Sequence, residues 1–385
     1  MKIIDIRETT VSVGSAMRNA SIAFDDMTAT ALAIITDQRG DGEALVGYAF
    51  DSIGRYAKGG LLRERFIPRL LAASAARVLD DEGCIDPRLC FGVMMEGEKQ
   101  GGHGERPGAV GLLDAALWDL RAKQKRQPLW RTLSHDHGRT LVGDSAPTYA
   151  SCGHFSAHPQ ANELRDEVKA CIDAGYTTVK IKLGGRDASK DAKRIDSALA
   201  SGLAPDCLAV DINGQWRTGD IDWLTMVGSY GLAWVEEPSS PLDYATLASF
   251  CAGYAGSVAT GENLFSADDV RNLLRYGGLR PAQDRIQVDM LLSYGLSEYT
   301  AIMTDAVCGG WSASAFWPHA GHLFSAHVVT AFGLGSHEAA PDVRRLYGGF
   351  WDGVHPLEGR VRMPDAPGTG FELKANLFHH LKSLL

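Results

Sequence analysis

The hydrophobic pattern changes character near residue 140. Before it, three runs rich in β-branched residues, Ile3–Val13, Ala29–Thr36 and Ala44–Phe50, are separated by Gly and Asp, which predicts an antiparallel meander. Two stretches with a helical period follow, Gly60–Ala73 and Ala109–Lys123. In the second, apolar residues fall at 109, 110, 112, 113, 116, 117 and 120. Strands first and helices after is the order of an α+β unit. From about residue 146 short apolar runs alternate with helical stretches such as Asn162–Ala174 and Lys190–Ser201. Eight strand candidates result: 146–152, 178–183, 207–213, 233–237, 257–262, 285–290, 312–318 and 335–339. Such alternation predicts a parallel sheet, and eight units close a barrel. The expected fold class is α/β, a (β/α) barrel over 141–340 with an α+β domain over 1–140. Residues 341–385, rich in Gly and Pro, are expected to fold back over that first domain.

Ionisable residues stand at the ends of these apolar runs: Lys180 and Lys182, then Asp211, Glu236, Glu262, Asp289 and His319. The steps between successive acids are 25 (236−211), 26 (262−236) and 27 (289−262) residues, about one strand and one helix each. Barrel enzymes place their chemistry at the carboxyl ends of the strands. Lys180 and Lys182, two apart, share a strand face. As surface lysines they would be unremarkable. Inside a barrel mouth, each other's charge and desolvation would lower their pKa and make a base near neutral pH. Buried carboxylates need a partner. Asp211, Glu236 and Glu262 suit a hard divalent cation such as Mg²⁺, which keeps room for waters or substrate oxygens. The other reading is that they pair with lysine or arginine. Glu236 and Glu237 point to opposite sides, and Glu236, sharing its side with Trp234, is the favoured ligand. Asn213 shares a side with Asp211 and could bind metal-linked water or substrate. Asp289 beside His319 would fix the imidazole tautomer and raise its basicity. Glu338 would donate a proton or hydrogen bond to a substrate carboxylate. His322 and His327 read as helix-facing fillers.

Composition narrows the function classes. The net charge of −9, from 38 basic and 47 acidic residues, gives no footprint for nucleic acid or an anionic membrane. Seven cysteines at scattered positions, without a CxxC pair, argue against a disulfide framework or zinc knuckle. The opening MKIIDIRETT has no apolar core of signal-peptide length, and no run is long enough to span a bilayer, so a cytoplasmic protein is expected. GxGxxG, GxxxxGK[ST] and GxSxG are absent. GGHGER at 101–106 is either a substrate-covering loop or a solvated turn.

The ordered set KIK, DIN, EEP, GEN, VD and PH, closed by Glu338, resembles the enolase superfamily and, within it, the mandelate racemase subgroup. RNASIAF at 18–24, GGHGER, GENLFSADDVRNLLRYGG at 261–278 and LSYGLSEY at 292–299 resemble the D-tartrate dehydratases of that subgroup. The resemblance implies a modified (β/α) barrel of enolase type under an α+β N-terminal capping domain, with Asp211, Glu236 and Glu262 binding Mg²⁺. It implies Lys182 as the base that removes the α-proton and Lys180 as its tuning partner. It also implies His319, oriented by Asp289, as the acid on the opposite face, with Glu338 bonding the developing enolate. It places substrate selection near Asn19, Tyr56, Lys99 and His103. The implied activity is dehydration of an acid sugar, D-tartrate to oxaloacetate, by a homo-oligomer whose partner is a small acid-sugar dicarboxylate or hydroxy acid. The same Lys182 and His319 would serve a racemase or epimerase of a 2-hydroxy acid. A non-catalytic binding barrel is the third reading.

Overall fold

The computed structural model describes residues 1–13, 17–40, 42–53, 55–99, 105–156 and 162–385. The first layer is an antiparallel sheet in the order β1 (Ile3–Ser12), β2 (Thr28–Gly40), β3 (Glu43–Phe50). On β1, at the sheet edge, only Ile3, Ile6 and Val11 are buried. On β2, in the middle, Ala31 to Ile34 are fully buried. The helical run after β3 spans 59–72, with a wider π turn at Leu62–Phe66.

The helix Arg106–Gln124 joins the two layers. Every residue from Pro107 to Ala122 is buried, so the helix has no solvent face. Two glycines allow its close approach to neighbours. A Cβ on Gly47 of β3 would stand 2.3 Å from the Ala116 carbonyl, and one on Gly111 would stand 2.2 Å from that of Leu291. Its buried acids accept backbone N–H groups from separate segments. Asp119 accepts from Tyr48 (2.9 Å) and Thr369 (2.6 Å), and Asp114 accepts from Leu296 (2.7 Å). Burial pushes the Asp114 carboxyl up to about 8.

The second layer is a parallel sheet in the order β10-β4-β5-β6-β7-β8-β9. Its strands are β4 (Ser145–Cys152), β5 (Val179–Lys182), β6 (Leu208–Asp211), β7 (Trp234–Glu236), β8 (Val258–Thr260), β9 (Arg285–Ile286) and β10 (His337–Ala339). The pairing of β10 with β4 joins the last strand to the first. The strand expected at 312–318 does not form. A 3₁₀ turn occupies Ala313–Ala315, and the Trp317 indole N–H folds back onto the Ser314 carbonyl at 3.0 Å. Pro318, lacking an N–H, cannot extend a ladder. The seam between β9 and β10 is instead stitched by two backbone bonds, Trp317 N–H to Ile286 and Gly335 N–H to Phe316, each 2.9 Å. Strand 285–290 is likewise shorter than expected, and its chain turns off after Ile286.

Residues beyond 341 touch both layers. Strand β11 (Arg360–Arg362) pairs antiparallel with β4, while the helix Ala375–Lys382 packs on β2. Arg7 donates to the carbonyls of Leu384 and Leu385 at 2.9 Å. Among the described residues no helix is long and apolar enough to cross a membrane. All seven cysteines are free.

His327 is wedged between the layers: its Nδ1 accepts the Trp130 N–H (3.1 Å), which leaves Nε2–H to donate to the Thr369 carbonyl (3.1 Å). Burial holds its pKa down to about 3. His137, packed against Trp118 and Phe332, is held to about 4, also by burial and then by the charges of Arg88 and Arg139. A histidine kept neutral in the fold stabilises it above the unfolded pKa near 6.5, and that stability is lost as the unfolded chain takes up protons first. Asp114 acts in the opposite sense over the same window, so the histidine contribution is read by difference: in His137→Gln the denaturant midpoint is expected to fall less between about pH 6.5 and pH 4 than in the parent chain. The substitution Gly111→Ala forces a backbone shift and is expected to cost about 1–3 kcal/mol in the same unfolding measurement.

Candidate active site

Strand register assembles one row of charge. Lys182 on β5 pairs with Asp211 on β6, which pairs with Glu236 on β7. Neighbours in register on parallel strands point to the same side, so the three side chains meet above the sheet. Glu262 comes two residues after β8 ends, carried by Gly261 at φ 127°, a conformation that favours glycine. One carboxylate oxygen from each of Asp211, Glu236 and Glu262 lies within 4.8 Å of the others. Three hard oxygen donors at that spacing fit a divalent cation of the Mg²⁺ type.

The row is closely packed with compensating charge. Lys182 bonds Asp211, and Lys180 bonds Glu236 and, at 2.9 Å, Glu338. The Glu236 Oε2 accepts from the Trp234 indole (3.0 Å) and the Gln287 amide (2.6 Å). Glu236 and Glu237 separate as the alternation predicts. Glu237, at φ 45°, turns away to the Asn263 amide (2.5 Å), which also reaches Glu262 at 3.2 Å. Below the row, Tyr149, Trp234 and Trp317 pack edge to face or tilted with ring centroids 5.1–5.7 Å apart. The Arg285 guanidinium lies against Trp234 and Trp317 at 4.8 and 4.6 Å. This aromatic layer plugs the barrel beneath the charges.

The lysines titrate opposite to the sequence expectation. Burial pulls Lys182 down, but Asp211, with Glu262 and Glu236, outweighs both burial and the charge of Lys180, and the net shift is upward. Lys180 is raised further, because Glu236 and Glu338 surround it despite its burial. The sequence shows that two lysines are close; it does not show that carboxylates are closer. Burial pushes Glu236 up to about 7 against the pull of Lys180.

His319 faces this row. Its Nδ1 lies 3.4 Å from Asp289 and its Nε2 3.3 Å from Glu262. Burial opposes protonation, but Glu262 and Asp289 prevail and raise the ring to about 9. His322 is not the filler the pattern suggested: its Nε2 lies 3.2 Å from Asp289. Lys182, Glu262, His319, Glu338 and Asn19 all line one cavity of about 430 Å³. Lys180 lies behind it, bonded to Glu338. Asn213, half-buried at φ 46°, bonds Asp211 through its N–H (2.9 Å) and amide (3.3 Å). Tyr56 and Lys99 are exposed and do not line the cavity; His103 lies outside the described residues.

Three groups at the site had no sequence argument. His154 lines the cavity two residues past β4, where the strand-end rule would have found it. Ser52 and Arg55 follow β3 of the first layer; Ser52 bonds Asp289, and Arg55 bonds Asn263. Neither lies on a barrel strand, so no spacing marks them.

Residues 163–377 match the family described as enolase C-terminal domain-like. The 3,6-anhydro-α-L-galactonate cycloisomerase of Streptomyces coelicolor is 26% identical over 287 residues, 71% of each chain. The L-talarate/galactarate dehydratase of Salmonella typhimurium is 27% identical over 296 residues, 76% of this chain and 70% of that one. A racemase from Streptomyces coelicolor A3(2), crystallised with bound magnesium, superposes with a TM-score of 0.77 at 21% identity over 99% of both chains. The family match spans more than half the chain and includes every residue of the charged row, and the chain therefore belongs to the enolase superfamily.

Proposed function

We propose that this protein is a Mg²⁺-dependent acid-sugar dehydratase that takes an α-proton from a hydroxy carboxylate and expels the β-hydroxyl as water, with D-tartrate, converted to oxaloacetate, as its substrate. One observation carries the reading. A single cavity is lined by an amine, Lys182, and by an imidazole, His319, which is itself backed by a buried carboxylate, with Glu262 of the three-acid cluster at the same cavity. The talarate/galactarate dehydratase relative supports the dehydration step, and the finer substrate rests on the sequence resemblance of the RNASIAF segment, whose Asn19 lines the cavity.

In this reading Asp211, Glu236 and Glu262 hold Mg²⁺, which when bound supplies positive charge against which an enolate oxyanion is stabilised. Lys182 would take the α-proton as the neutral amine, the form that burial favours and that Asp211 disfavours while it faces the ammonium. Lys180 stays protonated between Glu236 and Glu338 and offsets part of their negative charge on the floor of the site. Burial favours the neutral Glu338 carboxyl, but Lys180 and His319 hold it well below the usual range, so Glu338 would have to take up a proton before it could donate to an enolate oxygen, a correction to the donor role expected from the sequence. His319, protonated at Nε2 and held at Nδ1 by Asp289, gives its proton to the departing β-hydroxyl. Loss of H⁺ and OH⁻ leaves an enol that ketonises to the 2-oxo acid. Racemisation is the second reading, favoured by the same pairing of Lys182 and His319 and by the structural likeness to a racemase. Retained mass with inverted configuration, in place of a 2-oxo acid, would decide for it. The reading includes self-association of the chain, which light scattering measures directly.

Lys182→Ala and His319→Asn are each expected to lower kcat by at least about 10²-fold, the scale of a lost general acid or base, in a coupled assay for 2-oxo acid. Full activity in either variant overturns the roles. Glu262→Gln is expected to weaken Mg²⁺ binding at least about tenfold by calorimetry, since a ligand weighs no less than the groups that orient it. A panel of D-tartrate, galactarate, L-talarate and arabinonate tests the substrate. Turnover of another member with none of D-tartrate would reject the finer proposal and leave the reaction class standing.

A further inference from the structure

Asp289 is completely buried and accepts four donors. Its Oδ1 takes the Leu291 N–H (2.9 Å) and His322 Nε2 (3.2 Å); its Oδ2 takes the Ser52 hydroxyl and His319 Nδ1 (3.4 Å). Three of these donors belong to the barrel chain. The fourth, Ser52, comes from the end of β3 in the other layer.

Each donor is itself held. The His322 Nδ1 accepts the Ser325 N–H at 3.1 Å, so its ring proton must sit on Nε2, facing Asp289. Ser52 is fully buried, and its N–H donates to Asp51 at 3.1 Å. Asp51 in turn forms a 2.6 Å ion pair with Lys58, and neither side chain has any exposure. Gly108 of the joining helix makes the space, since a Cβ there would stand 2.3 Å from Lys58 Cε. A carboxylate with one donor can rotate about its Cβ–Cγ bond, whereas one with donors on both oxygens is fixed in plane. The His319 contact is the longest of the four, so it is the one that a small rotation of Asp289 would break.

The geometry points to Ser52 as a positioning residue of the His319–Asp289 pair: a hydroxyl from the first layer that fixes the carboxylate plane and so aims the His319 imidazole at the cavity. The role goes beyond the dehydratase reading and rests on it only for the activity arm of the test. Ser52 touches no cavity space and takes no part in proton transfer. Its hydroxyl acts on the direction of His319 through Asp289 and itself bonds neither Lys182 nor any of the three acids.

The test compares Ser52→Ala with Ser52→Thr, which keeps the hydroxyl. In ¹⁵N-histidine-labelled protein, the Nδ1–H resonance of His319 is assigned by its loss in His319→Asn. That resonance is expected to move and exchange faster with water in Ser52→Ala, and to return in Ser52→Thr. With a substrate that the wild type dehydrates, kcat for water loss is expected to fall on the order of ten- to hundredfold, the size that orienting partners carry. KM, Mg²⁺ affinity and Lys182-dependent exchange of the α-hydrogen with D₂O are expected to stay unchanged. An unmoved resonance, an unchanged kcat, or a parallel loss of exchange and Mg²⁺ affinity would overturn the proposal. If Ser52→Ala does not fold, Ser52→Cys, a similar shape with a weak donor, is read in the same way. If the wild type dehydrates no acid sugar, the functional reading fails while the resonance still decides this one.

Discussion

Buried charge sets the terms for this molecule. Asp211, Glu236 and Lys180 sit together almost wholly out of water, with Lys182 and Glu338 beside them at the cavity wall. Taking such groups out of water costs several kcal/mol per ion, recovered only when geometry and hydrogen bonds are near complete. The barrel meets that condition through register, which places Lys182, Asp211 and Glu236 in one row. It meets it again through Trp234 and Gln287, which saturate the second oxygen of Glu236. The aromatic layer below keeps solvent from the underside, and Arg285 stacked there adds a cation without adding an acid.

What the sequence disclosed and what it hid follow from the range of each interaction. Strand ends are local features repeated at a near-constant step, so Lys182, Asp211, Glu236, Glu262 and Asp289 could be found by counting. The seam at Phe316 could not, because a run such as SASAFWP is apolar enough for a strand and fails as one through the fold-back of Trp317 and the missing N–H of Pro318. Strand-end counting also placed Glu262 and Asp289 on strands, whereas each rides a turn just past one. The direction of the lysine shift was hidden for a different reason: it depends on which charge is nearest, a matter of a few ångströms that spacing along the chain does not encode. His322 sits at the start of a helix and reads as packing until its ring is seen against Asp289.

The site is also composite. Arg55 holds Asn263, whose amide reaches Glu262 and Glu237, and Ser52 holds Asp289. Both donors lie just past one strand of the first layer, yet they address opposite ends of the chemistry, the acid cluster and the imidazole. Variation in that short stretch would therefore alter two functions at once, which a spacing rule built on barrel strands has no means to register.

The wholly buried helix that joins the layers has an effect on how such a protein can change over evolutionary time. Because Asp114, Asp119, Gly47 and Gly111 match it to a β-strand, a barrel loop and the returning chain together, the front half cannot be exchanged for that of a distant cousin as a cassette. A graft would have to carry partners scattered over more than three hundred positions. Replacements confined to the cavity mouth leave those shared contacts in place, whereas a swapped half does not.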